Sequence, residues 1–447
     1  MSAEFSARSV SETDKVDKVR ALQRVLYRSA KQEPNRRFHA LYDKVARSDI
    51  LWRAWADVAR NQGAPGVDGV TIASIADGDV SGVRAFLDEL AEGLRDKTYR
   101  PAPLRRVHIP KPGQPGVTRP LGIPCVADRV VMTAAKLVLE PIFEADFSPV
   151  SFGFRPKRSA HQALEAIRVS ANRGNDWVLD ADIKACFDEI DHDALVAQIE
   201  RRVVDGDMLK LLRSWLRAGV FEGGLVSDVE AGTPQGSPIS PLLANIALHV
   251  VDVAWAKAAN LGTLVRYADD FVVLTTSRQR AEEAQRRITE VLAGLGLRLH
   301  PDKTRIVFLG GGEGGFDFLG FHHRKTPSKF GDRRYLSKWP STRAMASIKA
   351  KVRDHTDRRY ASRDLHHVVA DLNPVLRGWG AYFRYGNSNR KFSAIDAYVH
   401  LQMSKLASVK YATRGRLLAS RFDYGWMTGL GVYRLTGKVR YWSTAHA

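Results

Sequence analysis

The stretch LVRYADDFVVL, residues 264–274, sets two adjacent carboxylates, Asp269 and Asp270, among side chains that otherwise want an apolar interior. Burying ionised carboxylates is costly unless positive charge neutralises them. A second acidic pair, Asp180 and Asp182, lies in WVLDADI, residues 177–183, where strand alternation puts both on one face. Carboxylates brought together resist joint ionisation, but they suit magnesium, which binds hard oxygens from one or two carboxylates plus substrate phosphates. Two ions about 3.5–4 Å apart activate an attacking oxygen and stabilise a leaving one in phosphoryl transfer. The chemistry these residues suggest is metal-assisted nucleotidyl transfer. An Asp-Asp pair is also ordinary turn chemistry; the flanking apolar strands and the acidic strand upstream favour function.

The elements that must position these groups follow from residue periodicity. WVLDADI reads as a strand, with helices near 192–204 and 207–218 after it. Ser240-Pro241 opens a helix over 241–257, cap then proline in the first turn. LVRY and FVVLT form two short strands around a tight Ala-Asp-Asp turn, and Ala281, Ala284, Ile288, Val291 and Leu295 stripe a helix that Gly296 ends. TRIVFLG and FDFLGF supply further strands. Residues 178–321 reduce to strand–helix–strand–strand–helix–strand, the split βαβ plan with helices on one sheet face. Upstream, residues 14–60 read as helical, NQGAPGVDG as a loop and VRAFLDELAEGLRD as a helix. The proline-rich YRPAPLRRVHIPKPGQPGVTRPLGIP suits an extended hairpin turning at PGQPG. Past residue 340 the chain reads as mostly helical, broken at Gly378, Gly380 and Gly386.

Composition narrows the partners. The 447 residues carry a formal charge of +19, and the excess is lopsided: residues 322–447 hold 25 Lys/Arg against 7 Asp/Glu, with 17 of the 40 aromatic residues. Basic residues interleaved with aromatics fit a surface that neutralises phosphates and stacks on bases, whereas a solvated face needs no such imbalance. Only Cys125 and Cys186 occur, so neither a disulfide framework nor a Cys-rich zinc site is indicated. His322-His323 and His366-His367 are adjacent pairs without cysteines; on a strand such neighbours point to opposite faces, which makes RNA contact or solvation a better reading than zinc. The N-terminus has no apolar signal-peptide core, and the longest apolar stretch, LLANIALHVV, soon meets Asp252 and Lys257. A cytoplasmic protein without membrane association is expected.

These segments carry a resemblance. YADD (267–270) resembles the reverse-transcriptase signature, DIKACFD (182–188) the first catalytic palm motif, and GTPQGSPISPLLANI (232–246) the nucleotide-binding turn and helix of bacterial group II intron proteins. GAPGVDGV (63–70), RPLGIP (119–124), FGFRPKRSAHQAL (152–164), GLRLHPDKT (296–304) and FDFLGF (316–321) follow in family order over about 260 residues, and LNPVLRGWGAYFRYG (372–386) resembles the maturase segment. The chain is similar to group II intron reverse transcriptases and maturases.

The resemblance implies an α+β right-hand polymerase, fingers and palm with a split βαβ antiparallel sheet core, followed by an α-helical thumb and maturase domain. The expected divisions are an N-terminal helical extension over 1–60, fingers over 61–175, palm over 176–325, thumb over 326–415 and a basic tail over 416–447. It selects Asp182, Asp269 and Asp270 as catalytic and as ligands of two Mg²⁺ ions, with Ile183 giving only its backbone carbonyl; Asp180 and Asp188 fall outside the set. Phe187 matches the family's sugar gate, a ring that leaves no room for a ribose 2′-hydroxyl. Gln235 and Gly236 would line the nucleotide pocket, Lys111 and Arg119 would close on the triphosphate, and Lys303 matches a position thought to protonate departing pyrophosphate. Each has a plainer reading: core phenylalanine, turn, surface charge, or template contact. Trp379, Tyr382, Phe383 and Tyr385 read as bundle core, while Arg377, Arg384, Arg390 and Lys391 read as RNA contacts.

The implied partners are group II intron RNA, an RNA template with a DNA primer, dNTPs and target DNA. Larger relatives end in a nuclease module with paired cysteines and an HNH-type site; GKVRYWSTAHA shows no such spacing, so priming from an existing DNA 3′ end is expected, with residues past about 415 as a short DNA-binding tail. The leading expectation is RNA-templated DNA synthesis coupled to intron splicing and retrohoming. Two alternatives stand beside it: a domesticated relative serving phage defence or CRISPR adaptation, and a polymerase-inactive RNA-binding splicing factor.

Overall fold

The computed structural model describes residues 18–76, 80–110, 116–222, 224–227, 231–233, 236–328, 331, 333–412 and 421–440. The chain opens with α1 (residues 18–32), then α2 (Tyr42–Val45), α3 (Ser48–Arg60), α4 (Ile72–Ala76) and α5 (Val80–Arg95). The helix expected across 14–60 is interrupted after residue 32, where Pro34 cannot donate to a helical ladder. The proline-rich segment forms the expected hairpin: β1 (Leu104–Pro110) runs antiparallel to β2 (Thr118–Ile123), with Ile109 opposite Arg119. Its turn, Lys111 included, lies outside the described residues.

Helices α6 (Val126–Glu144) and α7 (Ala160–Asn172) follow; α7 starts at a capping box in which Ser159 and Gln162 satisfy each other's backbone N–H. Next come β3 (Trp177–Asp182), α8 (Cys186–Glu189), α9 (His192–Glu200), α10 (Gly206–Leu216), and the short strands β4 (Val220–Glu222) and β5 (Leu225–Ser227). These two strands extend the hairpin into a sheet ordered β2-β1-β4-β5. Then α11 (Ser240–Lys257), β6 (Thr263–Tyr267), β7 (Asp270–Thr275), α12 (Arg278–Ala293) and β8 (Arg305–Phe308) complete a second sheet ordered β6-β7-β3-β8, antiparallel throughout. This is the expected split βαβ plan. Helix α11 begins at Ser240 itself, with Pro241 in its first turn.

The sheet is covered on both faces, not one. Leu179, Ala181, Leu264, Phe271 and Val273 join the core under α11 and α12, whereas Val178, Val265, Val272 and Leu274 pack with Ala163, Leu164 and Ile167 of α7. The unbroken apolar run of FVVL is what two covered faces require.

A third sheet, β11-β10-β9, follows: β9 (Gly315–Phe318), β10 (Phe321–Pro327) and β11 (Arg334–Pro340). The helical region therefore starts at α13 (Thr342–His355), not near 326, and the expected division at 325/326 falls inside β10. FDFLGF is the expected strand, forming β9 and opening β10; β11 and the rest of β10 escape sequence reasoning because their inward positions are polar. His323 is fully buried and stacks on Phe316 at 4.9 Å, and burial pushes its imidazole well below the usual range. Opposite it in the register, Lys338 is buried and its ammonium is pushed down to about 8 by burial. Helices α14 (Leu365–Phe383) and α15 (Asn389–Lys410) and a short helix, Tyr424–Gly429, end the described chain; of the expected breaks only Gly386 lies between helices, while α14 runs on through Gly378 and Gly380. Phe383 is buried, Trp379 and Tyr382 pack on the same cluster, and the Tyr382 hydroxyl donates to the Leu319 carbonyl at 2.8 Å. No helix among the described residues is long and apolar enough to cross a membrane.

Candidate active site

Register brings the acidic residues together. In the β3–β7 pair Asp182 lies opposite Asp270, at the end of the sheet, so both side chains share the face that α7 covers further along. Asp269 precedes β7 in the turn, after Ala268 at φ +58°. Both turn aspartates are half-buried. Burial pushes the Asp270 carboxyl well above the usual range, and Asp182, Asp180 and Asp269 add repulsion. Asp269 is also raised, by burial first and then Asp182, with Arg119 and Lys303 opposing.

The Lys303 ammonium, on the turn Pro301–Lys303, bonds the Asp182 carboxylate. Backbone contacts fix that approach: the His300 N–H donates to the Asp182 carbonyl at 2.8 Å, and Ile183 bridges to Leu299. Asp180 has its own partner in Arg305, Nε to Oδ2 at 3.0 Å. Asp188 sits exposed on α8.

Phe187 is half-buried on α8, after Ala185 at φ +43°. Gly232 and Thr233 dock against it: the Thr233 N–H donates to the Phe187 carbonyl at 2.5 Å and the Gly232 N–H to the Ile190 carbonyl at 2.8 Å. Gly232, at φ +92°, has no room for a Cβ, which would lie 2.7 Å from the Phe187 and Asp188 carbonyl oxygens. Gly236, at φ +115°, likewise has no room for a Cβ, which would lie 2.7 Å from the Gly122 carbonyl oxygen of β2. Arg119, on that strand, is exposed. Gln235 lies outside the described residues.

Of the expected RNA contacts, Arg377 is exposed over the Tyr433 ring at 5.5 Å and Arg390 is exposed at the start of α15, with half-buried Lys391 beside it. Arg384 is half-buried and engaged, its Nη2 donating to the Tyr385 hydroxyl at 2.7 Å. His322 and His323 point to opposite faces, His322 meeting Asp317 at 2.7 Å. His366 and His367 are exposed at the start of α14.

Sequence reasoning missed the support beneath the turn. Gly153 lies against it so closely that a Cβ would sit 2.4 Å from the Ala268 nitrogen. Arg266, fully buried, reaches Asp252 and Asn245 of α11. The available signal was a charged residue at an inward position of LVRY and another inside an apolar helix.

The donor set can be tested against a divalent cation. Among the described residues no three His, Cys, Asp or Glu side chains are gathered tightly enough to hold an ion as they stand. In every other respect the residues fit: hard oxygens, partly buried, with two carboxyls raised by burial and mutual repulsion that a cation would relieve.

Residues 109–323 match the family model for reverse transcriptase (RNA-dependent DNA polymerase), and residues 345–422 match the group II intron, maturase-specific domain. Protein YkfC of Escherichia coli (strain K12) is 33% identical over 363 residues, covering 72% of this chain and 93% of YkfC. Group II intron-encoded protein LtrA of Lactococcus lactis subsp. cremoris is 38% identical over 216 residues, 48% of this chain and 35% of LtrA. An uncharacterized 91 kDa protein in the cob intron of Schizosaccharomyces pombe is 28% identical over 391 residues, 70% of this chain and 47% of that protein. The chain thus spans about a third to a half of those two intron proteins. The chain belongs to the group II intron reverse transcriptase and maturase family, whose enzymes are RNA-directed DNA polymerases that generally use divalent metals.

The raised carboxyls give a signed prediction. A group whose pKa is raised on folding contributes stability that is present at low pH and lost as pH rises through the folded value. Without divalent ions, the protein should lose thermal stability above the ordinary carboxylate range, and Asp270→Asn should be more stable than wild type at pH 8 by about 2 °C or more. The gap should close near pH 4 and when divalent ions are added. Differential scanning calorimetry in chelator reads this; parallel pH profiles would remove the account of Asp270.

Proposed function

We propose that this chain synthesises DNA on an RNA template, and that it binds a group II intron RNA to promote splicing and retrohoming into target DNA. The observation that carries the reading is the β3–β7 register, which sets Asp182 against Asp270 at the open end of the palm sheet, with Asp269 in the adjoining turn. Asp182, Asp269, Asp270 and the Ile183 carbonyl would hold two Mg²⁺ ions. Such ions supply Lewis-acid stabilisation of the attacking primer 3′ oxygen and of the leaving pyrophosphate.

The chain's own groups do the rest. Lys303 neutralises Asp182 and keeps a proton beside the site for the departing pyrophosphate. Arg119, close enough to Asp269 to counter its repulsion, closes with Lys111 on the triphosphate. Phe187, its carbonyl held by the Thr233 N–H, stands beneath the sugar of the incoming dNTP, and Gln235 and Gly236 line that pocket. The palm begins at 176 and its boundary moves from 325 to the end of β11, behind fingers at 61–175 and an N-terminal extension at 1–60. The region from α13 to about 415 clamps template and primer and meets intron RNA through Arg377, Arg384, Arg390 and Lys391; residues 416–447 contact target DNA.

Primer extension on a homopolymer RNA template tests the reading. Replacing Asp182, Asp269 or Asp270 by Ala should lower Mg²⁺-dependent dNTP incorporation by at least about a hundredfold, the scale of losing one transition-state electrostatic contact. Wild-type protein that incorporates nothing leaves only the RNA-binding role. Phe187→Val should admit ribonucleotides, and unchanged discrimination between rNTP and dNTP would take Phe187 out of the gate. Affinity for structured RNA should fall steeply with salt, as counterion release requires; a flat response between 50 and about 200 mM salt contradicts the basic surface.

A further inference from the structure

A buried ion pair lies directly behind the acidic turn. Arg266 is wholly inaccessible, and its alternation along β6 with Leu264 points it toward α11. There its Nε donates to Asp252 Oδ1 at 2.8 Å and Nη2 to Oδ2 at 2.5 Å. Nη1 donates to Asn245 Oδ1 at 3.1 Å and to the Ala268 carbonyl at 3.0 Å. The last contact reaches the turn itself, one residue before Asp269. Asn245 and Asp252 are seven residues apart, two turns on one face of α11, with His249 between them and 3.7 Å from Asp252.

The same group holds the turn from its other side. Asn245 Nδ2 donates to the Gly153 carbonyl at 2.8 Å, and Gly153 is the residue pressed against the Ala268 nitrogen. The main chain of Arg266 pairs with that segment too, its N–H to the Val150 carbonyl and its carbonyl from the Phe152 N–H, both at 2.9 Å. Ala268 meanwhile sits at φ +58°, a conformation that a non-glycine residue keeps only when its surroundings impose it.

A buried pair of this kind is a poor device for stability alone, since apolar replacement is often neutral or favourable. It is a good device for geometry. A guanidinium fork addresses a carboxylate, an amide oxygen and a carbonyl at once, which an ammonium cannot.

We infer that Arg266, Asp252 and Asn245 are positioning residues: they fix the 267–270 turn over the palm sheet and so set where Asp269 and Asp270 present their oxygens to a divalent cation. The inference rests on the cation-holding reading of those aspartates. The test is the full chain carrying Arg266→Met with Asp252→Leu, which removes both charges together. Circular dichroism should show a folded protein melting near wild type. Amide hydrogen exchange at residues 268–271 should be at least tenfold faster, and Mn²⁺, titrated by electron paramagnetic resonance, should bind at least tenfold more weakly. A folded double variant with wild-type exchange and wild-type Mn²⁺ binding overturns the inference. If the double variant does not fold, Arg266→Lys is judged on the same two readouts, with the same expected directions and the same overturning result. Wild-type protein that binds no Mn²⁺ would instead defeat the cation-holding reading, while the exchange rates still judge the clamp.

Discussion

Everything at this site turns on an electrostatic confrontation across two strands. Asp182 and Asp270 face each other at the end of the β3–β7 ladder, Asp269 stands beside them, and burial makes the Asp269 and Asp270 charges harder to keep. The protein meets that cost with cations of its own. Lys303 attends Asp182, Arg305 attends Asp180, and Arg119 reaches toward Asp269. The aspartate that is most strongly raised, Asp270, has no such dedicated partner among these ion pairs. Its repulsion is the part of the balance that substrate-borne ions are suited to settle.

The scaffold follows from needing that confrontation in one place. Covering the palm sheet on both faces leaves its open end as the place where polar groups remain half-buried. Two glycine contacts then bring separate segments up against the site. Gly236 itself comes close to Gly122 of β2, and Gly153 lets its segment touch the acidic turn. A Cβ at either position would push apart the pieces that frame the carboxylates.

Much of this was legible in the residues. The strand–helix–strand–strand–helix–strand order appears from periodicity alone, because apolar runs and helical stripes in the palm are clean. Asp180 and Asp182 announce themselves on an alternating strand, and YADD announces a turn. FDFLGF announces β9, but β11 and most of β10 were hidden because His323, Lys325 and Lys338 occupy inward positions that sequence reasoning assigns to apolar side chains. The covering of the second sheet face was hidden because α7 precedes the palm in the chain. Arg266 and Asp252 could each be seen as a charge in an apolar context, but nothing in one sequence says that a strand residue and a helix residue fourteen positions apart are partners. Lys303 came forward through family likeness; its bond to Asp182 needed the fold.

The central claim is that three carboxylates from two strands and one turn grip divalent cations against a primer end. A crystal structure with RNA template, DNA primer, an incoming dNTP and Mn²⁺ tests it most directly, with anomalous scattering locating the ions. The account predicts two anomalous peaks bridged by oxygens of Asp182, Asp269 and Asp270, with Lys303 withdrawn from Asp182. Peaks elsewhere, or an ordered ternary complex whose Asp182 and Asp270 oxygens contact no ion, would contradict it.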